Sequence, residues 1–226
     1  MWAINLIGNT LWGVSRVLWR VSCRGLEHLP TDPRGFIVVA NHQTYADPVW
    51  LGVQIPRKTR YLAWDEAFRW PLVGTFLHLV GAWPLQIERG NPTAVRRSVQ
   101  WLREGGALVM FPEGGRCFED GKISRFKAGA FRIAIEAEVP VVPATIRGGE
   151  KVWPQGWRFP RLGRVEVEFH PAVEIECQPG EEPRACARRV SETFFEIVAA
   201  GLEESNARQQ SGSAKPPKLP SLGKEG

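Results

Sequence analysis

An α/β domain, with a mainly parallel central sheet flanked by helices and an N-terminal amphipathic helix in front of it, is the fold class this sequence predicts. The first reason is alternation: short apolar runs of strand length take turns with longer stretches of helical period. The second is size and make-up. With 226 residues, 43% hydrophobic and 23% charged, the chain suits one compact domain with short extensions. The third lies in residues 1–24, where one side of a helical projection is apolar and the other is not.

That leading segment carries no charge until Arg16, too short a run for a comfortable membrane span of about 20 residues. It also lacks the basic leader and small-residue cleavage site of a secretory signal. At about 100° per residue, Ile4, Ile7, Leu11, Val14, Val17, Leu18 and Val21 share a wide apolar arc. Asn5, Asn9, Arg16 and Arg20 group opposite, Trp12 and Trp19 border the arc, and Trp2 falls on the polar side. Residues 1–25 therefore suit a helix lying in a bilayer interface, although packing on the protein's own domain produces the same pattern.

Within the body, residues 26–204, FIVVAN at Phe36–Asn41 has the continuous apolar character of a buried strand, and a helix is expected from Pro48. Thr59–Ala63, Trp83–Ile87, Ala107–Phe111 and Val141–Ile146 read as further strands. Between them Ala67–Leu79, Thr93–Arg103 and Ala128–Ala137 read as helices. Arg164–Phe169 alternates apolar and charged residues, as a half-exposed strand should. A last helix is expected from about Arg184 to Leu202. Residues 205–226, without an aromatic and rich in Pro, Gly and Ser, predict a disordered basic tail.

Charge excludes one class of partner. The formal net charge is +5, but residues 1–25 and 205–226 carry +3 each, which leaves the body at −1. A nucleic-acid binder would concentrate its positive charge on the folded body, so no nucleic-acid partner is expected. Basic ends suit an anionic membrane surface, and a count of 10 Trp against 2 Tyr leans toward the membrane–water boundary. Cys23, Cys117, Cys177 and Cys186 lack close pairing, which predicts four free thiols in a reducing compartment. The four histidines, His28, His42, His78 and His170, form no ligand pattern, so no metal is expected.

In a parallel sheet, reactive groups gather in loops at the strands' carboxyl ends. After the first body strand comes Asn41-His42-Gln43-Thr44-Tyr45-Ala46-Asp47-Pro48. On a continuous helix His42 and Asp47 would stand about 140° apart. They meet only if a turn leads into the helix, and Pro48 favours that by suiting the first helical position. One reading makes Asp47 a helix cap and His42 a strand-end polar residue. The other has Asp47 orient the imidazole so that its second nitrogen serves as a base; the two are compatible. After the Ala107–Phe111 strand comes Phe111-Pro112-Glu113-Gly114-Gly115-Arg116, glycines beside an acid and a guanidinium.

Together and in this order, Asn41-His42-x4-Asp47 and Phe111-Pro112-Glu113-Gly114-x-Arg116 resemble the lysophospholipid acyltransferase family, typified by 1-acyl-glycerol-3-phosphate acyltransferases. The resemblance covers roughly residues 30–150. Val139–Ala144 resembles the family's fourth motif. In the second, a glycine normally precedes an arginine by six residues; here Gly81 and Arg89 stand eight apart. Thr44, Gly115 and Cys117 replace residues that are commonly Ser, Thr and Ser, departures that bear on acceptor specificity.

What the resemblance implies is acyl transfer from a thioester, on coenzyme A or acyl carrier protein, to a lysophospholipid hydroxyl. No other cofactor is implied. His42 would act as general base, supported by Asp47. Arg116 and then Arg89 would hold the acceptor phosphate, and Glu113 with Gly114 would bind the acceptor, Glu113 orienting its glycerol part. Arg125 and Lys127 would add positive potential. The implied partners are membrane lipids, the lysophospholipid and the acyl thioester, and the implied location is peripheral or monotopic on the cytoplasmic face of a membrane. G-x-S-x-G, dinucleotide and P-loop signatures are absent. A covalent route through Cys117 and a non-catalytic lipid-binding or scaffold protein on the same fold are the alternatives.

Overall fold

The computed structural model describes residues 10, 13–71, 73–85, 92–117, 122–157 and 159–212. A helix, α1, is described over residues 13–19. The strands are β1 (Ser22–Arg24), β2 (Phe36–Ala40), β3 (Thr59–Trp64), β4 (Ala82–Leu85), β5 (Ala107–Met110), β6 (Val141–Arg147) and β7 (Glu166–Phe169). The other helices are α2 (Asp47–Gly52), α3 (Val73–Leu79), α4 (Pro92–Arg103), α5 (Gly129–Ala137), α6 (Gly149–Val152) and α7 (Pro183–Gly212). The strands form one sheet in the order β1-β7-β6-β2-β5-β3-β4. Among the described residues β6–β7 is the one antiparallel pair of these strands, beside an isolated antiparallel bridge between Val141 and Val173, so the expected α/β fold with a mainly parallel sheet is what forms.

The middle strand explains the core. In β2 every residue is buried, and side chains alternate faces. Phe36, Val38 and Ala40 join a cluster with Trp50 and Leu51 of α2. Ile37 and Val39 join the opposite cluster with Phe131 of α5 and Phe194 of α7. Val38 lies in register with Val109 of β5 on one side and Val142 of β6 on the other. Because β2 and β5 are parallel neighbours, the loops that follow them open side by side.

Several boundaries depart from expectation. The helix expected over Ala67–Leu79 is broken into a 3-10 turn, Asp65–Arg69, and α3. Pro71 explains the break, since Trp70 before it is held extended at ψ 132°. The N-terminal helix does not run to residue 25. Arg20 takes a positive φ of 42°, Val21 is buried in the core, and β1 pairs with β7. Residues 1–9, 11 and 12 of the expected interfacial helix lie outside the described residues. At the other end α7 continues through 205–212, where disorder was expected. Ala207, Arg208, Gln209 and Gln210 are good helix formers, and the first proline comes only at Pro216. Residues 213–226 of the expected tail lie outside the described residues.

The thiol expectation is corrected too: Cys177 and Cys186 form a disulfide. The chain turns back through Gly180 at φ 80°, which brings Cys177 against the first turn of α7. Glu181 and Arg189 close the same turn with a 2.7 Å ion pair. Among the described residues, Cys177, Glu181 and Cys186 are the group with metal-ligand proximity, but the bridge has consumed both thiolates.

Candidate active site

The first loop is built around one buried carboxylate. Asp47 is fully buried, and its Oδ2 accepts the His42 Nδ1–H at 2.8 Å. The same oxygen accepts the main-chain N–H groups of Gln43 at 2.6 Å and Thr44 at 2.8 Å. Oδ1 accepts the Thr44 hydroxyl at 2.7 Å. Four donors therefore converge on one carboxylate, the condition under which a buried charge is tolerated. Thr44 supplies the hydroxyl that the more usual Ser would, and that hydroxyl in turn accepts the Ala46 N–H at 3.1 Å. The helix starts one residue before Pro48, at Asp47, and Ala46 takes the cap position without a side-chain bond. Asp47 is therefore not the helix cap that one reading made it; its carboxylate bonds back to Gln43 and Thr44 instead.

A carboxylate only accepts, so the proton of the neutral imidazole resides on Nδ1 and the lone pair on Nε2. The ring stacks on Phe111, with centroids 4.1 Å apart and planes 19° apart, and its side chain is 19% exposed. Packed on one face and hydrogen-bonded at one nitrogen, it has little orientational freedom. Asn41 sets the start of the loop: its side-chain amide exchanges two bonds with the Ile146 main chain, at 2.8 and 2.7 Å, and extends the β2–β6 register past Ala40.

The second loop is bonded directly to the first. Glu113, also buried, accepts the His42 N–H on Oε1 at 2.6 Å and the Ser124 N–H on Oε2 at 2.7 Å. The Cys117 N–H donates to the His42 carbonyl at 2.9 Å. Resemblance assigned Glu113 to the acceptor's glycerol; here both its oxygens are engaged by main chain, one of them at the dyad. Gly114 turns the loop at φ 73°, and a side chain there would collide with Lys127, which lies alongside. A Cβ at Gly115 would meet open space, so the glycine at that point is not a steric need.

Arg116 stacks on Tyr45, its guanidinium carbon 3.6 Å from the ring centroid, and Nη2 donates to the Tyr45 hydroxyl at 2.8 Å. Tyr45 therefore attaches the arginine to the loop that carries His42 and Asp47. Sequence reasoning missed this partner, although its position between the two dyad residues was the available signal. Arg125 and Lys127 are exposed. Arg89 lies outside the described residues.

Burial raises the Glu113 carboxyl pKa, with the Ser124 and His42 bonds opposing it. Its native form therefore holds its proton to higher pH than an unfolded glutamate does. Its contribution to stability declines as pH rises from the ordinary glutamate range to the raised value. Glu113→Gln should abolish that slope in unfolding free energy measured against pH. Glutamine has one acceptor oxygen and cannot take both N–H bonds, so the variant should lose about 1.5–3 kcal/mol. Denaturant melts across the acid range read both effects.

The Acyltransferase family model matches residues 20–147. The chain is 34% identical over 134 residues to the 1-acyl-sn-glycerol-3-phosphate acyltransferase of Bacillus subtilis, covering 58% of this chain and 65% of that protein. With the Pseudomonas aeruginosa protein of the same name it shares 30% identity over 192 residues, 79% of this chain and 70% of the other. A chloroplastic counterpart from Arabidopsis thaliana is 30% identical over 69% of this chain, but only 44% of its own length is matched. The chain thus spans about half to two thirds of the first relatives it matches. Among solved structures, the 1-acyl-sn-glycerophosphate acyltransferase PlsC of Thermotoga maritima superposes with a TM-score of 0.70 at 28% identity, covering 89% of this chain and 79% of that one.

Proposed function

The chain belongs to the Acyltransferase family, and from that premise we propose that it moves a fatty acyl group from a thioester to the hydroxyl of 1-acyl-glycerol-3-phosphate, giving phosphatidic acid. The observation that carries the reading is the 2.8 Å His42–Asp47 bond, joined to the Glu113–Arg116 loop at the same strand ends.

The acceptor hydroxyl is barely acidic and needs a base. His42 Nε2 takes its proton as the oxygen attacks the thioester carbonyl carbon, and Asp47 stabilises the imidazolium that forms. The tetrahedral intermediate then expels the thiolate, to which the imidazolium returns the proton. A simple thiol has a pKa of about 8.5, so the thiolate leaves without a dedicated acid. No covalent enzyme intermediate is needed, and the donor is acyl-CoA or acyl carrier protein. Arg116 supplies the planar, permanently charged fork that a phosphate monoester calls for.

Acceptor-dependent release of free thiol from an acyl thioester tests the reaction. It should appear with 1-acyl-glycerol-3-phosphate; none with any lysophospholipid would mean a lipid-binding protein on this fold. Arg116→Ala should raise KM for the phosphate-bearing acceptor about 10- to 100-fold. It should leave turnover of a monoacylglycerol, which has no phosphate, nearly unchanged. Equal effects on both acceptors would remove Arg116 from phosphate recognition.

For attachment, we place the protein on a membrane through α1 and its preceding residues, as a peripheral or monotopic protein on the cytoplasmic face. Among the described residues no helix is long and apolar enough to cross a bilayer. Val14, Val17 and Leu18 of α1 are exposed, Val17 to 78%. An apolar helix face left in water is what an interface would cover.

A further inference from the structure

Between α6 and the buried Val165 that precedes β7, the described residues 153–157 and 159–164 form a surface segment that is apolar on the outside. Trp157, Phe159 and Leu162 are 51%, 69% and 76% exposed. Main-chain bonds shape it: Trp157 N–H donates to Pro154 O at 3.2 Å and Arg161 N–H to Val152 O at 2.8 Å. The Trp153 indole N–H donates to Trp157 O at 2.9 Å. Three large apolar side chains are thus displayed on a defined loop, where burying them inward would have been favourable by about 1.5–3 kcal/mol each.

Two neighbours give the display a direction. On one side lies α1: the Trp19 indole N–H donates to Arg161 O at 3.1 Å, and Gly163 N–H to Leu18 O at 3.4 Å. The exposed Val17 and Leu18 therefore belong to the same surface as Leu162. On the other side Trp153 meets Tyr45 edge to face, centroids 5.7 Å apart, and Tyr45 carries Arg116. The strip runs from α1 to the rim of the candidate site.

Its charge is of one sign. Residues 151–165 contain Lys151, Arg158, Arg161 and Arg164 and no acid. Residues 10–25 contain Arg16, Arg20 and Arg24 and no acid. Arg161 lies 3.4 Å over the Trp157 ring, which sets a cation at the edge of the apolar surface. Exposed Trp, Phe and Leu bordered by arginine match the boundary between acyl chains and anionic headgroups.

We propose that the 153–163 loop is a second membrane contact, dipping Trp157, Phe159 and Leu162 into an anionic leaflet beside α1 and setting the Tyr45–Arg116 rim against the headgroups. The inference rests on the interfacial reading of α1, and extends it to a segment distant in sequence. A lipid acceptor would then reach the site without leaving the bilayer surface.

Sedimentation of the full chain with phosphatidylcholine vesicles, with and without phosphatidylglycerol, tests it. W157S/F159S/L162S should weaken partitioning by at least about tenfold, because affinity follows the apolar area inserted. R161Q/R164Q should weaken it about fivefold per charge on phosphatidylglycerol vesicles alone, and salt should mimic the effect. All substituted side chains point outward, so thermal midpoints should stay near wild type and separate lost binding from lost folding. If the loop variant partitions like wild type while V14S/V17S/L18S does not, the loop proposal is overturned and the role of α1 stands. If wild type sediments with neither vesicle, both fall, and acyl transfer to a dispersed acceptor remains separately measurable.

Discussion

His42→Ala should lower acceptor-dependent thiol release by about 10³- to 10⁴-fold while leaving the protein folded. Loss of a positioned base costs about 10²–10⁴ in rate, and here the acceptor alcohol offers no proton of its own to water at neutral pH. The fold should survive because the ring is half-buried on Phe111, not part of either core cluster, and the His42 main-chain bonds to Glu113 and Cys117 persist in alanine. Cys117→Ser serves as the companion measurement. Direct transfer predicts near-wild-type turnover, whereas an acyl group trapped on Cys117 would establish a covalent route. Far slower turnover in the serine variant would point the same way.

Asp47→Asn should be the second large effect, and a different one. Asparagine offers one acceptor oxygen and an NH2 where four donors converge, so one or more of the Gln43, Thr44 and His42 bonds is lost. Breaking such a buried charged site costs about 3–5 kcal/mol, enough to lower the melting midpoint markedly. Where the variant still folds, the amide no longer stabilises an imidazolium or sets the tautomer. Its turnover should fall by about 10²- to 10⁴-fold. Full turnover on a folded Asp47→Asn protein would reduce the carboxylate to a turn-maker, the compatible structural role that its bonds to Gln43 and Thr44 already show.

The pair was only partly legible in the sequence. The apolar run ending at Asn41 and the helix expected from Pro48 allow a turn between His42 and Asp47, but spacing leaves the cap and base readings both open, and the base role comes from the resemblance. FIVVAN and ALVM declared themselves as buried strands, and their parallel adjacency put two loops at one end of the sheet. What escaped depended on distant partners. Nothing near Ser22–Arg24 announces a strand; it exists because β7 offers an edge. The Cys177–Cys186 bridge depends on how the chain turns at Gly180, which spacing alone does not reveal. The end of α7 shows propensity prevailing over composition: a polar stretch read as a tail was still a run of helix formers. Glu113 is the instructive case at the site. The resemblance assigns it to the acceptor, and no motif announces that its two oxygens also tie the His42 and Ser124 main chains together. Arg116 needed Tyr45, seventy-one residues earlier, to be placed at all.

The structure of β1 also bears on how attachment is probed. Removing residues 1–24 would strip a strand from the sheet and the buried Val21 from the core, so point substitutions on α1 are the cleaner choice.

The most direct test of the base mechanism is a double-mutant comparison of turnover among wild type, His42→Ala, Asp47→Asn and the double variant, each at equal folded concentration. If Asp47 acts through the imidazole, its loss costs nothing once the ring is gone, and the double variant should be about as slow as His42→Ala alone. Multiplying effects, with the double variant slower by the product of the two single losses, would contradict the account.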